Sequence, residues 1–182
     1  NKLWNASRFA LMNLEGYTPG PVRKEELTVE DRWILSRLTT VTQQVTEALE
    51  AYRYSEAARV LYDFCWDEFC SSYIEMVKGR FQDDATRTVA QRVAAYALDV
   101  ILRLLHPMIP FITEEIWHML AAVAPERGLR EVSECSPDLI VATWPQVHPD
   151  RVDERIEFQA TQFRAALSAL REIRSRQNLP PR

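Results

Sequence analysis

The sequence predicts an all-α fold, in which a bundle of helices is interrupted by one proline-rich irregular connector at about residues 124–150. Glycine is scarce, with 4 residues among 182, whereas Ala, Leu, Glu and Arg, which favour helices, are plentiful. Apolar residues recur every three or four positions along most of the chain, as they do on one face of a helix. Hydrophobic residues make up 47% of the chain, enough for one substantial core. We therefore expect a single helical domain over residues 1–182.

The first predicted helix runs from Asn1 to about Leu14 and ends before Gly16. A helical wheel places most of its apolar residues on one side, namely Leu3, Trp4, Ala10, Leu11 and Leu14. The opposite side carries Asn1, Asn5, Arg8, Phe9 and Met12, with Lys2 at its edge. Phe9 is therefore an aromatic residue on the polar side of this helix.

Two longer helices are predicted next. The first begins near Thr28, which forms a capping-box-like pattern with Asp31, and its apolar seam continues to Tyr52. The second is predicted over Ser55–Lys78, with Gly79 as its end. Because apolar residues surround almost its whole circumference, we place this helix and its aromatic side chains in the centre of the bundle.

The pattern of the following segment predicts a helix over about residues 85–105. We expect it to end at His106, because a residue before proline disfavours the helical conformation. Another helix starts at Pro110 or Thr113 and reaches Ala122. Glu114 and Glu115 would then lie in its first turn, where the helix dipole favours acidic groups.

The connector at about residues 124–150 contains one extended-looking run, Leu139–Val141, and we expect Trp144 to anchor it on the bundle. A last amphipathic helix covers roughly residues 153–177. Residues 178–182 have the composition of a proline-rich linker stub. The chain begins without Met inside a predicted helix, so we expect it to be excised from a longer protein.

Catalytic and metal-binding motifs are missing from the sequence: it has no phosphate-binding glycine loop, no HExxH and no GxSxG. The histidines, His106, His118 and His148, are scattered, and helix-end or surface roles suit them. Cys65 and Cys70 are five residues apart, which places them about 140° apart on an α-helix, so we expect reduced, buried or half-buried thiols. The sequence thus predicts no catalytic residue, metal ligand or cofactor within this chain.

Charge is distributed unevenly along the chain, whose formal net charge is −4. Residues 47–75 carry seven acidic groups, whereas the first helix carries Lys2 and Arg8 without an acid, and arginines cluster from Arg164 onward. The acidic balance excludes a general polyanion binder. Any nucleic acid should therefore meet the ends of the chain rather than its middle.

The polar side of the first helix is a candidate RNA surface. Phe9 lies beside Asn5, Arg8 and Lys2, and a ring next to cations and an amide can stack on unpaired bases, hold phosphate and contact base edges. An alternative is that Phe9 packs against another helix. Trp33, beside Arg32 at the start of the second helix, is open to the same two interpretations, stacking on RNA or covering the edge of the core.

Six segments of the sequence carry distinctive motifs: Asn1–Phe9, Asp31–Leu38, Tyr54–Ala58, Trp66–Glu75, Leu105–Trp117 and Trp144–Pro145. These segments resemble the helical domain that follows the catalytic domain in valyl-tRNA synthetases, which are class Ia aminoacyl-tRNA synthetases. The run from His106 to Trp117 is similar to a motif shared by the valyl, isoleucyl and leucyl enzymes. Asn1–Asn5 and Trp66–Cys70 favour the valyl branch, although Ser71–Ser72 stands where that branch typically has Asp–Trp.

The resemblance implies an anticodon-binding helical bundle without a catalytic site. The parent enzyme would attach valine to its tRNA with ATP and Mg²⁺, using a catalytic domain in cis, and would act in the cytoplasm without a membrane partner. The anticodon loop of a valine tRNA would lie on Arg8 and Phe9, with Lys2, Asn5, Arg32, Trp33 and Arg37 as further candidate contacts. Two alternatives stay open: the same domain of an isoleucyl enzyme, or a helical protein-interaction module without RNA.

Overall fold

The computed structural model describes residues 2–177, apart from the side chain of Ser175, so the predicted linker stub at 178–182 lies outside the described residues. The α-helices are α1 (Lys2–Asn13), α2 (Val29–Glu50), α3 (Tyr54–Asp63), α4 (Ile74–Val77), α5 (Arg87–Leu105), α6 (Pro110–Val123) and α7 (Glu154–Arg176). A π-helix, Phe64–Tyr73, joins α3 to α4. Short 3₁₀ turns lie at Lys24–Glu26, Lys78–Gln82, Leu139–Val141 and Pro149–Arg151. The prediction of an all-α bundle is confirmed.

The start of α2 follows the predicted capping box. The Thr28 side chain accepts a hydrogen bond from the Asp31 backbone N–H, and the Asp31 carboxylate accepts one from the Thr28 N–H at 3.1 Å. Asp31 is completely buried, and Arg80 compensates its charge through a 2.8 Å ion pair. Tyr73 donates to the same carboxylate at 3.5 Å, and burial raises the pKa of this phenol well above its ordinary value. This network joins the first turn of α2 to Tyr73 at the end of the π-helix and to Arg80 in the 3₁₀ turn that follows α4.

The third predicted helix is not one continuous α-helix, and this part of the prediction is wrong. From Phe64 to Tyr73 the backbone is π-helical, with Ile74 N–H donating to the Phe69 carbonyl five residues earlier. Ser71 and Ser72 donate their hydroxyls to carbonyls five residues back, at 2.8 and 2.7 Å, which suits the wider turn. The last α-helical residue of this segment is Val77, one residue before the predicted end, and a 3₁₀ turn over Lys78–Gln82 follows it.

The wider π turn also changes the relation between Cys65 and Cys70. Residues five apart lie on the same side of a π-helix, whereas an α-helix would separate them by about 140°. The two thiols are hydrogen-bonded, and this bond together with burial raises the pKa of Cys65 well above its ordinary value. All three cysteines are free thiols, Cys65 and Cys70 buried and Cys135 half-buried, as predicted.

The connector after α6 is irregular, as predicted, but it contains a small antiparallel hairpin of β1 (Glu126–Arg127) and β2 (Ser133–Glu134). Leu139–Val141 forms a 3₁₀ turn, so the prediction of an extended run there is wrong. Trp144 contacts the bundle as expected, since its indole N–H donates to the Thr46 hydroxyl of α2 at 2.8 Å.

The core of the bundle lies between α2, α5, α6 and the π-helix. Its largest fully buried side chains include Trp117, Tyr73, Phe64 and Phe69. Because α6 begins at Pro110, Glu114 and Glu115 fall in its second turn, beyond the first turn in which we predicted them. Among residues 2–177, no helix combines the length and the apolar character needed to cross a bilayer.

Candidate nucleic-acid interface

The outer face of α1 is open to solvent, while its inner face packs on the bundle. Leu3, Ala10 and Leu11 are buried, whereas Asn5 and Arg8 are exposed on the opposite side. Within residues 2–177, neither the Arg8 guanidinium nor the Asn5 amide has a hydrogen-bond or ion-pair partner in the protein. Their donors and acceptors are therefore free to bind a ligand.

Phe9 is half-buried rather than fully exposed. Its ring packs against Phe81, with the ring centroids 6.4 Å apart and tilted by 60°. The Lys78 ammonium lies 5.2 Å from the Phe9 centroid. Both interpretations of Phe9 thus have support, because one part of the ring packs on a neighbouring segment and the remainder stays accessible beside a cation.

Two aromatic residues of the central helix extend this face. The Tyr62 and Trp66 rings are stacked, with centroids 5.3 Å apart and an interplanar angle of 14°. The Lys2 ammonium lies 4.6 Å from the Trp66 centroid and donates to the Ser71 hydroxyl, which fixes the start of α1 on the π-helix. We refer to the exposed side of α1, together with the two adjoining aromatic residues, as the α1 surface. It consists of Lys2, Asn5, Arg8, Phe9, Tyr62 and Trp66.

The sequence interpretation missed Tyr62 and Trp66, which it placed in the core. Tyr62 is 56% exposed and Trp66 is half-buried. Asp63 and Arg59 share the outer side of α3 with Tyr62, and these charged residues were the available sign of a solvent-facing stripe.

A groove of about 570 Å³ separates the π-helix from α7 near the start of the α1 surface. Ser71 and Ser72 lie on one wall, and Arg164 and Arg171 of α7 lie on the other. The predicted cationic end of the chain is thereby brought towards the cations of α1. Asp67 and Glu75 also line the groove, so its guanidinium groups on α7, rather than the groove as a whole, offer contacts for a phosphate backbone.

The candidate residues of α2 face α7 rather than α1. Arg32 pairs with Asp153 at 2.9 Å, and its side chain is 41% exposed. Trp33 lies in the core with 3% of its surface exposed, which leaves no open ring face for a base. The structure therefore separates this group from the α1 surface.

Arg37 is engaged by two carboxylates. It donates two hydrogen bonds to Glu68, at 2.8 and 3.0 Å, and a third to Glu157 at 3.0 Å. Burial opposes the charged guanidinium, but the hydrogen bonds to Glu68 and Glu157 outweigh it and raise the pKa of Arg37. Most of its donors are thus satisfied within the protein. Glu68 also pairs with Arg164 of α7, at 3.8 Å.

Comparison with known proteins places this geometry in a family. Residues 31–182 match the family model described as the anticodon-binding domain of tRNA ligase. A valine–tRNA ligase of Rhodopirellula baltica is 50% identical over 182 residues, which are 100% of this chain and 18% of that protein. A valine–tRNA ligase of Carboxydothermus hydrogenoformans is 43% identical over 182 residues, 100% of this chain and 19% of that protein. The chain therefore spans about a fifth of the length of these relatives.

A solved structure shares the fold. It is the LeuRS of the Agrobacterium radiobacter K84 ternary complex LeuRS–tRNA–LeuAMS, with a TM-score of 0.54 and 19% sequence identity. The similarity covers 84% of this chain and 16% of that one. Because the family model matches most of the residues and the helical architecture agrees with it, the chain belongs to the anticodon-binding domain family of tRNA ligases.

Proposed function

We propose that this chain is the anticodon-binding domain of a valine–tRNA ligase and that it holds the anticodon loop of a valine tRNA. The parent protein would attach valine to the tRNA in the cytoplasm, using ATP and Mg²⁺ at a catalytic domain in cis. Relatives that carry this activity cover the whole chain at 43–50% identity, which favours the valyl enzyme over the isoleucyl one. The chain itself contributes binding, not catalysis.

The single observation that supports RNA binding most directly is the exposed Arg8 guanidinium, which has no protein partner among residues 2–177. A guanidinium is always charged and offers five donors, so it can bind a phosphate or the edge of a base. Phe9 and Trp66 are half-buried, which holds their rings rigid while part of each ring remains accessible for stacking. Asn5 adds an amide that can donate to and accept from a base edge.

We assign different roles in RNA binding to the seven predicted contact residues. Arg8 and Asn5 contact RNA directly, Phe9 stacks on a base, and Lys2 fixes Trp66 while it contributes positive charge. Arg32 keeps enough exposure to approach the RNA backbone. Trp33 and Arg37 act indirectly, because they hold α2 against the π-helix and α7.

Titration of an anticodon stem-loop of a valine tRNA tests the proposal. Arg8→Ala should weaken binding by about 1–3 kcal/mol, since it removes one direct RNA contact. Fluorescence anisotropy at a fixed salt concentration gives the affinity, and circular dichroism checks that the helices are intact. Arg23→Ala is the matched control, because Arg23 is also an exposed arginine but lies outside the α1 surface.

The competing functions make different predictions in the same titration. An isoleucyl domain would prefer the stem-loop of an isoleucine tRNA over that of a valine tRNA. A helical protein-interaction module would bind neither RNA. Equal affinity of the wild type and Arg8→Ala, with helical content unchanged, would exclude Arg8 as an RNA contact.

A further inference from the structure

A cluster of three potential metal ligands lies far along the chain from the α1 surface residues, where α6 meets the connector. Glu114 and His118 are four residues apart on α6, so they lie on the same face of the helix. Asp138 of the connector completes the group. The His118 Nε2 atom lies 3.2 Å from a Glu114 carboxylate oxygen and 3.3 Å from an Asp138 carboxylate oxygen. All three ligand atoms lie within 4.8 Å of one another.

We propose that Glu114, His118 and Asp138 form a binding site for one Zn²⁺ ion. Zinc binds imidazole nitrogen and carboxylate oxygen at about 2.0–2.2 Å, usually with four ligands in a tetrahedron. Two ligands at that distance lie roughly 3.4 Å apart in a tetrahedron, which is close to the distances from His118 Nε2 to both carboxylates. Neutral imidazole with two carboxylates carries two negative charges, which balance the charge of the ion. Water would complete the coordination.

The ligands are held in place by neighbouring groups. Leu139 N–H donates to the Glu114 carboxylate at 2.7 Å, and the Trp117 indole N–H donates to the Ser136 carbonyl at 3.0 Å. These two bonds flank Asp138 and attach its segment of the connector to α6. The positioning of ligands by surrounding hydrogen bonds is a common property of metal sites.

His106 lies on the other side of the same carboxylate. Its Nε2 atom lies 3.8 Å from the second oxygen of Glu114, while its Nδ1 atom is 2.9 Å from the Thr113 hydroxyl. The site would thus fasten the connector to α6, and it does not depend on the proposed RNA binding.

Calorimetric titration of the 182-residue chain with ZnCl₂, after treatment with EDTA, tests the site. We expect one ion per chain, and at least about a tenfold loss of affinity in His118→Gln, since even supporting residues of metal sites change affinity by about 10–100-fold. Asp138→Asn should also weaken binding. Because Asp138 is exposed and lies in the connector, this variant keeps the test valid if His118→Gln does not fold.

His148→Gln is the matched control, because it removes one of the other two histidines without touching the cluster. It should bind Zn²⁺ as the wild type does. Zinc should also raise the melting temperature of the wild type and of His148→Gln, but not that of His118→Gln, because binding stabilises only the folded state that assembles the ligands. Three results would each overturn the site: wild-type affinity in His118→Gln, an equal loss in His148→Gln, or no binding by the wild type at about 1 mM Zn²⁺.

Discussion

Arg8 and Arg37 have the same side chain but different surroundings, and the surroundings decide their roles. Three N–H groups of Arg37 donate hydrogen bonds to Glu68 and Glu157, whereas Arg8 has no protein partner among the described residues. If the Arg37 guanidinium bound a phosphate instead, two mostly buried carboxylates would lose their partner, which is energetically unfavourable. A free guanidinium such as that of Arg8 loses only water when it binds RNA.

We expect Arg37→Ala to lower the free energy of unfolding by about 2–3 kcal/mol, because Glu68 and Glu157 would lose a shared, partly buried cation. Arg37→Lys should recover part of this, since an ammonium restores the charge but cannot form the two parallel bonds to Glu68. Urea unfolding followed by circular dichroism measures both values. Arg23→Ala serves as the reference, because its pair with Glu26 is exposed and should contribute little. Equal stability of Arg37→Ala and the wild type would show that the three hydrogen bonds are dispensable.

At the level of helices, the sequence predicted where most of them begin and end. Thr28, His106–Pro107 and Pro110 act through local chemistry, such as a side-chain cap or a missing N–H, and local chemistry can be read from neighbouring residues. The structure accordingly begins α2 after Thr28 and α6 at Pro110. These boundaries needed no knowledge of the rest of the fold.

The π-helix could not be predicted in the same way. A helical wheel assumes 3.6 residues per turn, and one wider turn shifts every later residue to another face. The serines at 71 and 72, which stand where the valyl branch typically has Asp–Trp, were the only local sign, and their hydroxyls bond to carbonyls five residues back. The relation between Cys65 and Cys70 was misjudged on the assumption of a regular α-helix.

The start of α2 is stabilised by a cap and by a long-range ion pair, and two variants separate them. Thr28→Ala should cost about 1 kcal/mol, the typical value of an N-cap side chain. Asp31→Ala should cost about 3–5 kcal/mol, because it also leaves the Arg80 guanidinium without its buried partner. Thermal unfolding of the two variants gives the comparison. If both variants lost the same amount, the ion pair between Asp31 and Arg80 would contribute nothing beyond the hydrogen bonds of the Thr28 hydroxyl, one of which also comes from Arg80.

For the molecule as a whole, the sequence predicted the distribution of charge better than the shape of the site. The net charge of −4 and the acidic middle predicted that RNA would approach the ends of the chain. The fold brings α7, with Arg164 and Arg171, next to the π-helix on which Lys2 of α1 is fixed. This proximity depends on contacts between residues far apart in the sequence, such as Lys2 and Ser71, which are 69 positions apart, and no local pattern reports them. The sequence therefore predicted the cations but not their common surface.

The salt dependence of RNA binding tests that surface. If Arg8, Arg164 and Arg171 each contact a phosphate, the logarithm of the association constant should fall with the logarithm of salt concentration with a slope of about −2, at roughly 0.7 per contact to single-stranded RNA. Each single change to Ala should reduce the slope by somewhat less than one, whereas Asn5→Ala should lower affinity and leave the slope unchanged. Because the whole chain is acidic, general attraction cannot produce this pattern, and Arg23→Ala should retain the full slope. A slope near zero in the wild type would mean that RNA, if bound, is held without phosphate contacts, and the proposed common surface of α1 and α7 would be wrong.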